Sequence, residues 1–435
     1  EALDMLLEAM RKLLPSAARA AGVTATSRDG DLIEIPCEAA DPLLAYVFKT
    51  VADPFIGKLS YIKVISGALK SDSAFVNSRT GEAERFGKLL KVKGKKQEEI
   101  QCITAGDIGA ITKMAEARTG DTLCAPGRIC TIQPPVFPVP SLTMAIKVKQ
   151  KGDESKVSGA LQRLMEEDPT LKYVMDTETL QQLISGMGEQ HLDVVVSKLK
   201  AKFGVDIDLT KPRVPYRETL RKKVKAQGRH KKQSGGHGQF GDVWIEFEPY
   251  DGEELLFEEK VFGGSVPKNF FPAVEKGLQQ SVKRGVLAGY PVVGLKATLV
   301  DGSYHPVDSS QMAFKMAASL AYKAALPDAS PTLLEPIGSL KAYIPNENTG
   351  DVMGEVNKRR GRVLGMNPSE DGMQLVEAEV PQSEMFDFTT FIRSLTQGRG
   401  YFTFEFVRYE PLPTQYEAKV IEDAKKFMSP EKEEE

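Results

Sequence analysis

Tryptophan, histidine and cysteine are scarce in this 435-residue chain, with one, four and four copies. Cys37, Cys102, Cys124 and Cys130 show neither C-x-x-C spacing nor pairing with histidine, which argues against zinc sites and disulfide scaffolds and for reduced thiols. No apolar run approaches the ~20 residues of a membrane helix, and no signal peptide opens the chain. A net charge of −3 excludes a wholly basic nucleic-acid binder, though not local basic patches. No G-x-x-x-x-G-K-[ST] occurs, so the phosphate loop of an NTPase is missing. The chain opens on Glu1, without methionine and already inside a helical pattern, and reads as a piece of something longer.

What is present is enough for several packed cores: 41% of residues are apolar, and the length suggests roughly three domains or more smaller modules. Leu3, Leu6, Leu7, Met10, Leu13 and Leu14 predict a helix stopped by Pro15, after which residues up to 36 carry no self-contained apolar pattern. Short strands punctuated by glycine turns predict an all-β barrel over 37–135, closed by a proline linker, Pro134, Pro135, Pro138 and Pro140. Residues 136–212 alternate as βαββαβ, the ferredoxin-like order, and 332–416 repeat it, with Ser383 predicted to cap the second helix. A different unit fills 213–331, with strands near 243–247, 256–262 and 292–300 and helices near 272–284 and 309–326. The expected fold is therefore multidomain α+β: a β-barrel, a ferredoxin-like module, a split β-α-β unit and a second ferredoxin-like module. Residues 417–435 read as a helical or disordered acidic tail.

The middle unit holds the most informative stretch. Arg229-His230-Lys231-Lys232 runs into Ser234, Gly235, Gly236, His237, Gly238, Gln239, Phe240 and Gly241, and glycines 236, 238 and 241 fit G-x-G-x-x-G. A dinucleotide site needs the third glycine to open a helix, yet residues 242–248 alternate with the period of a strand. A kinase needs a lysine strand, an H-R-D loop and D-F-G, and all three are absent. What remains is electrostatic: eight Lys and Arg residues between 217 and 232 flank a glycine tip suited to phosphates, although a solvated lysine-rich hairpin would look the same. A second loop, with Tyr304, His305 and Asp308, precedes a helix that Asp308 and Gln311 are placed to cap as a capping box. On that helix Met312, Met316 and Leu320 read as core together with Ala313, Ala317 and Ala321. His191 reads as a structural hydrogen-bonding residue, since no second histidine follows at metal-binding spacing. Lys358, Arg359, Arg360 and Arg362 at one turn, with Arg393 and Arg399, form either a second phosphate-binding edge or plain surface charge.

These stretches, with residues 52–59 and 105–108, 161–169 and 184–193, 261–267 and 285–293, and 350–361, resemble elongation factor G across its second to fifth domains. The resemblance implies a ribosome-binding translation factor that promotes tRNA–mRNA translocation. It also implies that a GTP-binding domain precedes Glu1, residues 1–36 being its end. GTP and magnesium are then expected only with that domain, and no cofactor, metal or catalytic residue in this chain. The tip residues 234–240, Tyr304, His305 and Asp308 are expected against tRNA and mRNA at the decoding region. Lys231, Lys232, Lys358, Arg359, Arg360, Arg362, Arg393 and Arg399 are expected against ribosomal RNA of both subunits. The implied protein is cytoplasmic, monomeric and free of membrane. His237, where many translocases carry arginine, and Gln190, where they carry leucine, bring the chain closer to the elongation-factor-G-like paralogues. A recycling-type paralogue and a stand-alone ribosome- or RNA-binding adaptor without GTPase activity stand as alternatives.

Overall fold

The computed structural model describes residues 2–19, 22–53, 57–71, 73–94, 96–150, 152–233, 238–369 and 371–427. It divides into two units, Glu1–Pro212 and Arg213–Glu435. In the first, helix Ala2–Leu13 buries none of its side chains. Residues 23–35, grouped from sequence with a preceding domain, behave differently. Strands Val23–Ser27 and Leu32–Ile35 form a hairpin that also pairs with Cys130–Thr131, and Ala25 and Ile35 share a core with Leu44, Ile65, Cys124 and Cys130. Leu32-Ile33-Glu34-Ile35 is too short an alternation to reveal this alone.

The β module centres on an eight-stranded sheet in which Leu44–Asp53 and Gly57–Ser66 are the central hairpin. Phe75, Leu89, Ile111 and Leu123, from strands on both sides of that hairpin, meet Val47, Ile62 and Val64 in one core, so the sheet wraps around its own apolar face. No ladder joins the two outermost strands of this sheet among the described residues.

Residues 142–210 form the expected ferredoxin-like module. The sheet runs in the order Lys172–Asp176, Gln181–Gly186, Leu142–Val148, Ile207–Thr210, with Glu154–Glu167 and Glu189–Phe203 as its helices. Gly204, in the left-handed region at φ 68°, ends the second helix. Its first turn holds His191, whose Nδ1 accepts from the Met187 amide at 3.0 Å and whose Nε2 meets Asp168 at 2.9 Å. The histidine thus ties the helix start to the loop after the preceding helix, the structural role its sequence context suggests.

In the second unit, Thr332–Ile344 is the central strand of the second ferredoxin-like sheet, flanked by Gln374–Pro381 and Tyr401–Pro411, with Arg362–Pro368 outside. Its second helix is Phe388–Leu395 rather than one capped by Ser383, which lies in a 3-10 turn, Gln382–Glu384, and accepts from Arg360 at 3.2 Å. Helix Thr414–Phe427 packs back, burying Leu412 and Ala424 with Tyr216 and Leu333. The tail beyond residue 427 lies outside the described residues.

The remaining module has a four-stranded sheet, Val224–Lys232, Gln239–Pro249, Leu295–Ser303, Leu256–Glu259, the last two parallel, as in a split β-α-β unit. Helices Phe271–Ser281 and Gln311–Ala325 cover one face over Val243, Ile245, Phe247, Leu295, Ala297 and Leu299. Glu218 anchors its base. The buried carboxylate accepts from the amides of Leu287, Ala288, Gly289 and Tyr290 at 2.8–3.1 Å, and a Cβ at Gly285 would stand 2.1 Å from it. Burial pushes the Glu218 carboxyl up, while the four amide donors oppose that shift by favouring the ionised form.

Candidate nucleic-acid interface

The basic run before the glycine loop is a strand, not the flank of a loose tip. Val224–Lys232 pairs residue for residue with Gln239–Pro249, from Val224 opposite Phe247 to Lys232 opposite Gln239. The alternation was present in the sequence: Val224, Ala226, Gly228 and His230 interleave with Lys225, Gln227, Arg229 and Lys231. A charge run concealed it. Residues 234–237, including His237 and the first motif glycine, lie outside the described residues.

Gly241, the third motif glycine, and Gly228 on the facing strand have packing reasons. A Cβ on Gly241 would sit 2.6 Å from the Ala313 backbone, and one on Gly228 would sit 2.0 Å from the Ala317 carbonyl oxygen. Helix Gln311–Ala325 therefore lies directly on the hairpin, its Ala313, Ala317 and Ala321 facing the sheet. Gly238 lets its backbone approach Asp308, whose Oδ1 accepts from the Gly238 amide at 3.0 Å. The Gly238 amide and the backbones of Gly228 and Gly241 are thus engaged within the protein.

Two sequence expectations change here. Asp308 does not cap the helix; Ser310 does, its hydroxyl accepting from the Ala313 amide at 3.2 Å. Met312, Met316 and Leu320 are not core but 58%, 42% and 39% exposed, because the small alanines take the side facing the sheet.

Asp308 instead joins the two loops. The Phe240 amide donates to its carbonyl at 2.8 Å, and Ser309 Oγ donates to the Phe240 carbonyl at 3.0 Å. His305 Nδ1 accepts from the amides of Asp308 and Val307, at 3.1 and 3.3 Å, which assigns the proton of the neutral ring to Nε2. Nδ1 is also 3.4 Å from the Asp308 carboxylate, a contact that would need a proton on Nδ1 and so competes with the amide bonds. The half-exposed imidazole approaches the Phe240 ring edge-on, with 6.5 Å between centroids, and Tyr304 is exposed beside it. Gln239 Oε1 lies 3.0 Å from His230 Nε2. The structure thus brings Gly238, Gln239, Phe240, His305 and Asp308 together, with Lys231 and Lys232 exposed on the strand leading there.

The arginines of the last module separate into two classes. Arg359 is 8% exposed: it pairs with Glu355 at 2.8 Å and Asp387 at 2.5 Å, bonds the Glu384 carbonyl and lies over the Phe388 ring. Arg360 holds buried Glu335 through two bonds of 2.7 and 2.8 Å, reaches Glu384 at 3.0 Å and covers Tyr416. Both guanidiniums bond within the module, where the sequence reading placed them against RNA. Arg362 and Arg399 are exposed but paired, with Glu379 at 3.0 Å and Glu347 at 2.6 Å. Lys358 is exposed, 3.6 Å from Glu355, and exposed Arg393 makes no ion pair among the described residues. Among the described residues, no group of histidine, cysteine, aspartate and glutamate is placed to hold a metal ion. No described helix is long and apolar enough to cross a membrane.

Four family models match the chain in order. They are elongation factor G domain 2 over residues 42–126, domain III over 137–211, domain IV over 212–330 and the elongation factor G C-terminus over 332–420. The chain belongs to the elongation factor G family. An elongation factor G-like protein of Thermotoga maritima is 43% identical over 427 residues, covering 98% of this chain and 62% of that protein. A crystal structure of a Thermus thermophilus protein matches with a TM-score of 0.76 and 37% identity, over 97% of this chain and 61% of that one. The chain spans less than two thirds of the length of these relatives. The clamped loops 238–240 and 304–309 belong to the stretch matched as domain IV.

Proposed function

We propose that this chain is the ribosome-binding part of an elongation factor G-type translation factor that promotes tRNA–mRNA translocation. The observation that carries the reading is the clamp between Gly238, Phe240 and Asp308, which makes two loops one preorganised tip at the end of a cation-bearing hairpin. A rigid tip loses little conformational freedom on meeting tRNA and mRNA. Gly238, Gln239, Phe240, Tyr304, His305 and Asp308, with the adjoining 234–237, are the proposed contacts there. Lys231 and Lys232 on the hairpin, with Lys358, Arg362, Arg393 and Arg399 on the last module, are the proposed contacts to ribosomal RNA. The chain performs no bond chemistry in this account: GTP and magnesium belong to a separate GTP-binding domain, and hydrolysis there biases the orientation of the tip. A cytoplasmic monomer is the form the reading requires. The relative's printed description as elongation factor G-like, together with His237, favours a paralogue of the main translocase.

Salt dependence tests the reading. The chain is expected to co-sediment with ribosomes at low salt and to dissociate steeply as salt rises, because phosphate contacts release counterions. Absent binding, or binding indifferent to salt, would refute it.

A further inference from the structure

The uncovered face of the four-stranded sheet is divided by charge. Toward the base every cation has a carboxylate: Lys223 meets Glu246 at 2.8 Å and Glu248 at 3.4 Å, and Lys296 meets Glu248 and Glu258, both at 3.2 Å. Toward the tip the pattern changes. Lys225, Arg229, Lys231 and Lys232, all on the strand Val224–Lys232, make no ion pair among the described residues, and Lys225, Arg229 and Lys231 share one face of it with Gln227. Arg229 lies over the Phe240 ring at 5.5 Å and Lys225 over the ring of Trp244 at 5.7 Å. Both are diagonal neighbours across the ladder, since Arg229 pairs with Asp242 and Gln227 with Trp244.

The carboxylates on this half make no direct ion pair with the cations, although Asp242 stands opposite Arg229 in the ladder. Asp242 accepts from Gln227 Nε2 at 2.8 Å and Ser303 Oγ at 2.7 Å, so each of its oxygens is held by a neutral donor. Asp301 accepts from the Gly302 amide at 2.8 Å and attracts Lys225 electrostatically without a direct ion pair. Two part-exposed aromatic rings, ~13 Å apart along one strand with Asp242 between them, thus lie beside cations of the neighbouring strand that make no ion pair. Apolar protein partners need no such cations, and a duplex backbone would not use the rings.

From this arrangement we infer that the tip half of the open sheet face is a stacking platform for an unpaired RNA segment. Trp244 and Phe240 receive bases, while Lys225, Arg229 and Lys231 take the phosphates between them. The inference extends the ribosome-binding reading and rests on it for the class of partner, but it concerns the sheet face that runs from Phe240 and Lys231 to Trp244 and can be tested without ribosomes.

Trp244 is the only tryptophan of the 435-residue chain, so its emission reports on this face alone. Unpaired homopolymeric RNA of about ten nucleotides, a site size usual for such surfaces, is added to the full chain at low salt. The expected result is quenching of Trp244 that is reversed by salt, with weak or no quenching by an RNA duplex of equal length or by polyphosphate. With labelled RNA and anisotropy as readout, Trp244→Leu and Arg229→Gln each weaken binding about tenfold, the order expected for losing one stacked base or one phosphate contact. Unchanged thermal melting shows that both variants fold. Equal quenching by duplex or polyphosphate would overturn the platform in favour of a merely cationic surface. No quenching from a chain that still sediments with ribosomes would overturn it and leave the ribosome-binding reading standing. Loss of both would defeat both.

Discussion

At the scale of single residues, exposure alone does not separate an RNA contact from a structural strut, but partners do. Arg360 adopts the left-handed region at φ 58° and places its guanidinium on a glutamate that is 3% exposed. Removing it strands Glu335, so Arg360→Ala is expected to cost about 3 kcal/mol or more of stability, read by denaturant unfolding. Arg393→Ala, by contrast, is expected to leave unfolding unchanged while weakening ribosome co-sedimentation. The reverse pattern would mean that the roles are exchanged. Glu379 offers a second check. Its bonds to the Arg408 guanidinium hold its pKa at about 2, below the ordinary carboxylate range. A depressed carboxylate contributes stability that is fully present above its unfolded pKa, about 4.3, and is lost as pH falls toward the folded value. Glu379→Gln should therefore flatten the dependence of Tm on pH between about 4.3 and 2, and an unchanged slope would show that the pair contributes nothing there.

At the scale of elements, the helix Gln311–Ala325 and the hairpin beneath it explain one another. Glycines 228 and 241 let the helix backbone descend onto the sheet, and Ala313, Ala317 and Ala321 keep it there. Gly241→Ala is expected to destabilise the module by about 1–3 kcal/mol through overpacking, since its Cβ would meet fixed backbone. A melting temperature that does not move would remove this reason for the glycine. The same pair of elements shows what a sequence can and cannot reveal. Strand–helix alternation over 142–210 was legible because each element repeats its own period over a full length. The strand Val224–Lys232 was not, because its solvent-facing positions are basic and read as one charge run. Helical spacing placed Met312, Met316 and Leu320 beside the alanines, yet only the glycines on another element decide which side faces the sheet. Asp308 looked like a cap because it precedes a helix. Its bond to Gly238, seventy residues earlier in the chain, is invisible to local pattern.

At the scale of the whole molecule, the order of modules was legible because four sequence stretches resemble one family in one order, and the family models match them in that order. The candidate site was legible as a pair of loops but not as a clamped tip. The arginines of the last module could not be sorted at all, since Glu335 and Glu384 lie about 25 residues from Arg360 in opposite directions. The account of the assembled protein is that a separate domain hydrolyses GTP while this chain's tip engages tRNA and mRNA. The most direct test uses the chain joined to a family GTP-binding domain. Single-turnover translocation and ribosome-stimulated GTP turnover are measured with His305→Ala, which removes the ring that organises the 304–309 loop. The account predicts slowed translocation with GTP turnover largely intact. Equal loss of both, or unchanged translocation, would contradict it.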